Sequence, residues 1–297
     1  MEANMKRATR DIAQDITDLI IEKLETGTEP WKRPWSKERL DGPPLRHNAV
    51  PYSGVNKWLL WAVADAAGYS SRFWMTYKQA QALGGQVRRG EQGAPCVFFK
   101  TIDRTKPKPG QIDADGQVHV MRSYTVFNRD QVEGLDDDSA VTDVLKPPSA
   151  AEVDEFFGRI PIDTRHGGAR AFYNADSDYI RLPNVDSFET IAHYQAVRAH
   201  ELTHATGAKH RLDRTFGKRF GDRAYAFEEL VAEMGSSMVC AHLGLPAKLH
   251  DGHASYIADW LAILKADKRA IITAASKAEA AFTWLRECSE EPVAKAA

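Results

Sequence analysis

The sequence predicts an α+β chain in two domains: a small mixed helix/sheet domain over residues 1–133 and a second domain over 149–297, joined by a linker at 134–148. Three observations predict it. At 297 residues the chain is long enough for two cores. An acidic, turn-rich stretch begins at Gly134-Leu135-Asp136-Asp137-Asp138 and runs to Lys146-Pro147-Pro148; Ser149-Ala150-Ala151-Glu152 then reads as a capping box opening a new helix. Charge changes across the same stretch. Up to Glu133 there are 20 Lys and Arg against 16 Asp and Glu, a net of +4, and the remainder has 19 against 25, a net of −6. A mildly basic half joined to an acidic half implies two tasks.

The first domain opens with a helix, because Ile12, Ile16, Leu19, Ile20 and Leu24 recur at helical spacing and Gly27 follows as a stop. Pro30-Trp31-Lys32-Arg33-Pro34-Trp35 then sets two tryptophans around two cations. A second helix covers about Gly54 to Ala67, with Trp58 and Trp61 assigned to the core. Phe73-Trp74-Met75 reads as a strand, Tyr77 to Leu83 as a short helix, and Gly84-Gly85 as a turn leading to the basic segment with Arg88 and Arg89. Pro95 to Lys100 and Val118 to Phe127 read as paired strands, separated by a loop containing Lys106-Pro107-Lys108-Pro109-Gly110.

In the second domain, Val153, Phe156 and Phe157 give the opening helix an apolar face. Phe172 to Pro183 looks like a hairpin whose Tyr179-Ile180-Arg181-Leu182 alternates as an edge strand, and such a strand could pair with an extended peptide. A helix from Thr190 to about Thr206 carries His200-Glu201-Leu202-Thr203-His204, and Gly207 ends it. Positions four apart share a helix face, so both imidazoles can reach one ion. Glu201 stands beside them as a carboxylate base. This H-E-x-x-H pattern, with a third ligand from elsewhere, is the chemistry of zinc-assisted peptide hydrolysis.

Two residues can supply the third ligand. Gly207 and His210 extend the motif to H-E-x-x-H-x-x-G-x-x-H, which would make a three-histidine site. Alternatively, the next helix, with Phe227 to Met234, offers Glu229, and Glu233 four residues on supplies a second carboxylate behind the site. Glu229 is preferred because no Met-turn follows His210. Glu228 is angularly offset and is expected to face solvent. Zn²⁺ is the expected ion, with Mn²⁺ or another divalent ion also compatible with two histidines and a carboxylate. Tyr173, Tyr256 and His253 are the candidates for stabilising an oxyanion.

No apolar run is long enough to span a bilayer, and residues 1–15 carry no secretory apolar core. Cys96, Cys240 and Cys288 are odd in number, widely spaced and outside any C-x-x-C pair, which points to free thiols in a reducing cytoplasm. Five of the seven tryptophans lie in the first domain. Aromatics interleaved with cations suit single-stranded nucleic acid, whose bases stack and whose phosphates need neutralising. The candidate contacts are Trp31, Lys32, Arg33, Trp35, Trp74, Tyr77, Lys78, Arg88 and Arg89.

The chain resembles the ArdC family of plasmid antirestriction proteins. In the first half the likeness lies in Trp31-Lys32-Arg33-Pro34-Trp35, Tyr52-Ser53-Gly54-Val55-Asn56, Trp74-Met75-Thr76-Tyr77-Lys78, Leu83 to Glu91 and Tyr124 to Asn128. In the second it lies in His200 to Gly207, Arg211-Leu212, Glu228 to Glu233, and Ser255 to Ala258 with Trp260-Leu261. A similar first domain precedes the primase region of TraC-type plasmid primases. The resemblance implies a domain that binds single-stranded DNA, followed by a zincin-like metallopeptidase domain. It also implies a role in shielding incoming plasmid DNA from restriction during conjugation, and a third ligand from the Glu228-Glu229 helix. Cleavage of a protein target, a purely structural metal, or a first domain that recruits protein substrates are the functions to be separated.

Overall fold

The computed structural model describes residues 11–26, 42–102, 118–135, 148–216, 222–246 and 254–290. Trp31, Lys32, Arg33, Trp35, His253, the Lys106–Gly110 segment and most of the linker lie outside the described residues. The first half holds α1 (Ile12–Glu25), β1 (Leu45–Arg46), α2 (Val55–Ala67), β2 (Phe73–Met75), α3 (Tyr77–Ala82), β3 (Gln86–Val87), β4 (Ala94–Ile102), β5 (Val118–Asn128) and β6 (Val132–Glu133). The second holds α4 (Ala150–Gly158), β7 (Asp163–His166), β8 (Phe172–Asn174), β9 (Tyr179–Leu182), α5 (Ile191–Ala205), α6 (Arg223–His242), α7 (Ala254–Ala266) and α8 (Ala270–Ser289).

The first sheet runs β1-β2-β5-β4, with β4 and β5 forming the long antiparallel pair. The outer edge of β4 is closed by a side chain. Asn56 of α2 donates to the Val97 carbonyl at 2.7 Å and accepts from the Val97 N–H at 2.8 Å, as a neighbouring strand would. The second half carries a three-stranded sheet ordered β7-β9-β8. Tyr179–Leu182 is therefore a central strand and not the expected edge, and Ile180 and Leu182 are fully buried. Its parallel partner, Asp163-Thr164-Arg165-His166, has no apolar alternation to mark it in sequence. The edge nearer the metal helix is β8.

The two halves share packing. Ile16, Ile20 and Leu24 of α1 and Trp58 of α2 belong to one hydrophobic cluster with Val197, Leu230, Trp260 and Ile271. Thr17 donates to the Lys268 carbonyl at 2.7 Å, and Lys265 and Lys268 pair with Glu25 and Asp11 at the two ends of α1. Helix α2 starts at Gly54, whose φ of +56° suits glycine, and has no side-chain cap of its own. Glu279 of α8 takes that role. It accepts from the Gly54 N–H at 2.8 Å and pairs with the buried Lys57 ammonium at 2.9 Å. Glu279→Ala would strand that ammonium, and urea unfolding is expected to show a loss of about 3 kcal/mol. A paired Lys57→Met, Glu279→Leu variant should recover most of it, and an unchanged Glu279→Ala midpoint would refute this coupling of the halves.

Candidate metal centre

The metal helix α5 starts at Thr190, whose hydroxyl accepts from the His193 N–H at 3.0 Å. About three and four turns later it presents His200 and His204 to α6. The Nε2 atoms of the two histidines are 3.1 Å apart. Glu229 Oε2 lies 3.5 Å from His200 Nε2, and Oε1 lies 3.6 Å from His204 Nε2. A tetrahedral ion with bonds of about 2.0–2.1 Å places its ligands roughly 3.3 Å from one another. These three side chains therefore fit one divalent ion.

The opposite ring nitrogens also face carboxylates. His200 Nδ1 is 3.6 Å from Glu233, and His204 Nδ1 is 3.3 Å from Glu228. Glu228 is within hydrogen-bond reach and fixes the tautomer that leaves His204 Nε2 free for metal, while Glu233 acts on His200 through its charge. Helix α6 thus supplies the third candidate ligand and both carboxylates behind the imidazoles. Most of its length is buried, which keeps them away from bulk water.

Glu228 departs from expectation. It is 4% exposed and forms a forked ion pair with Arg214, whose Nη2 and Nε lie 2.7 and 3.0 Å from its oxygens. Arg214 also donates to the Thr203 carbonyl at 2.7 Å and to Thr206 Oγ1 at 2.8 Å, tying the end of α5 to α6. Helical angle alone points Glu228 outward. The loop after α5 folds back over it, held by Leu212 N–H to Thr206 O and Arg214 N–H to Gly207 O. A Cβ at Gly207 would come within 2.7 Å of the Phe216 ring and 3.0 Å of the Arg214 guanidinium, so this glycine makes room for Arg214. It does not bring His210 to the metal. The His210 side chain is 64% exposed and faces Asp178 at 3.4 Å.

Burial alone would lower both imidazole pKa values, but Glu229 and its neighbouring carboxylates outweigh it and raise them. Burial would likewise raise Glu229, yet the two histidines hold it far below the usual carboxylate range. The group is therefore strongly cation-seeking. Burial pushes Glu201 above its ordinary value against the pull of His200 and His204, and its carboxylate accepts from the Tyr173 backbone N–H of β8. A raised carboxylate beside a metal group suits a general base.

Of the oxyanion candidates, Tyr173 is already engaged. Its hydroxyl donates to Asp178 at 2.9 Å, and burial and that carboxylate push its pKa up to about 12. Tyr256 meets Tyr225 hydroxyl to hydroxyl at 3.4 Å, and Tyr225 in turn hydrogen-bonds the candidate ligand Glu229. Tyr225 lies four residues before Glu229 on α6, a helical spacing that marks it in sequence.

In the first half, Trp74 is 1% exposed and packs with Tyr52, Leu60 and Val126, so its ring cannot stack on a base. Its strand places it under α2, a side that aromatic content alone does not reveal. Trp58 and Trp61 are core residues as expected. Tyr77, Lys78, Arg88 and Arg89 are exposed, with Arg88 held by Glu91 at 2.7 Å.

Residues 151–277 match the family described as zincin-like metallopeptidase, and residues 10–127 match the N-terminal domain of anti-restriction factor ArdC. An uncharacterized protein, y4eC, of Sinorhizobium fredii (strain NBRC 101917 / NGR234) is 41% identical over 93% of this chain and 91% of its own length. The Escherichia coli DNA primase TraC is 34% identical over 93% of this chain, which spans only 27% of the primase. The metal-free crystal structure of the antirestriction protein ArdC from plasmid R388 is 43% identical, with a TM-score of 0.79 over 94% of this chain and 98% of that one. The Mn(II)-bound form has a TM-score of 0.80 at 41% identity, over 95% and 99%. Fold and site together define a zincin-like metal centre carried behind an antirestriction-type amino-terminal domain. The chain belongs to the ArdC family of antirestriction proteins.

Proposed function

We propose that this protein binds single-stranded DNA entering a cell during plasmid conjugation, protects it from restriction, and hydrolyses a protein target with a divalent-metal centre. The observation that carries the enzymatic reading is the convergence of His200, His204 and Glu229 within 4.8 Å of one another, with Glu201 in the same buried site. Zn²⁺ suits two imidazoles and a carboxylate, and the Mn(II)-bound relative supports Mn²⁺ as an alternative. A divalent ion held there supplies Lewis acidity and lowers the pKa of water to about 7. Glu228 holds His204 in the right tautomer, and the Glu233 charge lies behind His200 Nδ1. Glu201 accepts a proton from the attacking water at its carboxylate and returns it to the leaving amine. Tyr225, which hydrogen-bonds Glu229 and meets Tyr256, orients the Glu229 carboxylate.

The DNA reading is supported by the family match over residues 10–127 and by the exposed Tyr77, Lys78, Arg88 and Arg89. Three free cysteines fit action in the cytoplasm, and no described helix is long and apolar enough to cross a membrane. The test uses the full chain. Tryptophan fluorescence with a single strand should change, weaken with salt, and respond poorly to duplex. The zinc-loaded protein is then offered unfolded proteins and proteins bound to single strands. Cleavage of the DNA-bound class supports the reading, and no cleavage of either leaves a structural metal and shielding by binding alone.

A further inference from the structure

The pairing of β4 with β5 sets Phe98 opposite Arg122 and Cys96 opposite Tyr124, so these four side chains share one face of the sheet. At one end of that face, Ala94, Cys96 and Val126 are buried with Tyr52, Leu60 and Trp74. Farther along, that cover ends. Phe98 is 46% exposed and Arg122 is exposed. The Phe98 ring meets half-buried Tyr124 edge-on at 5.9 Å. Tyr124 hydrogen-bonds Tyr52, and the exposed Arg46 guanidinium lies 5.5 Å above the Tyr52 ring. Neither strand contains an Asp or Glu in its sequence. The result is one exposed ring, Phe98, and one half-buried ring, Tyr124, between two exposed guanidinium groups without strand carboxylates, with Tyr52 buried beneath Arg46.

We propose that single-stranded DNA runs over this face, with a base stacked on Phe98 and phosphates met by Arg122 and Arg46. An exposed ring set between cations suits an unpaired base on a phosphate backbone. The inference rests on the reading that the first half binds single strands, and it names a surface beyond the one containing Tyr77. Tyr77 packs on Phe127, which points to the opposite side of β5 from Tyr124.

The test is anisotropy of fluorescein-labelled oligo(dT) with the full-length protein at several salt concentrations. Phe98→Ala should weaken binding about tenfold. Phe98→Trp should keep affinity and add a fluorescence signal quenched by DNA. Arg122→Ala should reduce the salt slope by about 0.7, the value for one phosphate contact on a single strand. Wild-type affinity and slope in both alanine variants, with binding lost in a Tyr77→Ala, Arg89→Ala protein, would overturn this face and leave the DNA reading standing. No binding by the wild type at low salt would overturn both.

Discussion

Glu201→Gln is expected to reduce peptide hydrolysis by about 10²–10⁴-fold while leaving metal affinity close to wild type. Glu201 is outside the group of three donor atoms that converge, so the substitution leaves His200, His204 and Glu229 in place. Glutamine keeps the shape and can still accept from the Tyr173 N–H, but its amide cannot take a proton from water. Mn²⁺ binding followed by electron paramagnetic resonance, alongside initial rates, separates the two effects. Equal loss of metal and activity would make Glu201 a structural residue. Hydrolysis at the wild-type rate would remove it as the base. The same variant also addresses antirestriction: protection that survives in cells places shielding in DNA binding, and protection that disappears ties it to cleavage.

What was legible in the sequence follows the range of the interactions involved. His200, Glu201 and His204 are one turn of one helix, so spacing alone places them. Glu229 and Glu233 repeat the same rule on α6, and the structure brings both toward the histidines. Tyr225 obeys it too, four residues earlier. Arg214 does not. It reaches Glu228 across a loop, and neither the angle of Glu228 on its helix nor any motif marks that contact. Likewise, the apolar alternation of Tyr179–Leu182 identifies a strand but not its neighbours, because polar β7 completes the sheet. Trp74 shows the same limit in the first half. Its ring chemistry suits a base, while its register with Asn128 turns it into the core. The reciprocal capping of Ser149 and Glu152 was legible because it spans three residues.

Arg214→Ala is expected to destabilise the metal-free protein by about 3–5 kcal/mol and to weaken metal binding by about 10–100-fold. The guanidinium is buried, and its removal leaves the buried Glu228 carboxylate without its forked partner. It also leaves Thr203 O without that donor at the end of α5. Glu228 orients the His204 imidazole, so the loss reaches the metal site through a ring that Arg214 itself does not contact; of His204 its guanidinium meets only the backbone carbonyl, at 3.5 Å. Arg214→Lys should recover only part of the effect, because one ammonium cannot reproduce a planar fork serving Glu228, Thr203 and Thr206 together. Urea unfolding reports the stability term, and Mn²⁺ titration of the folded lysine variant reports the metal term. If Arg214→Lys binds metal as wild type does while Glu228→Gln does not, the tautomer of His204 is set by Glu228 alone and Arg214 serves only the fold. If both lose affinity, the loop after the H-E-x-x-H helix belongs to the metal centre.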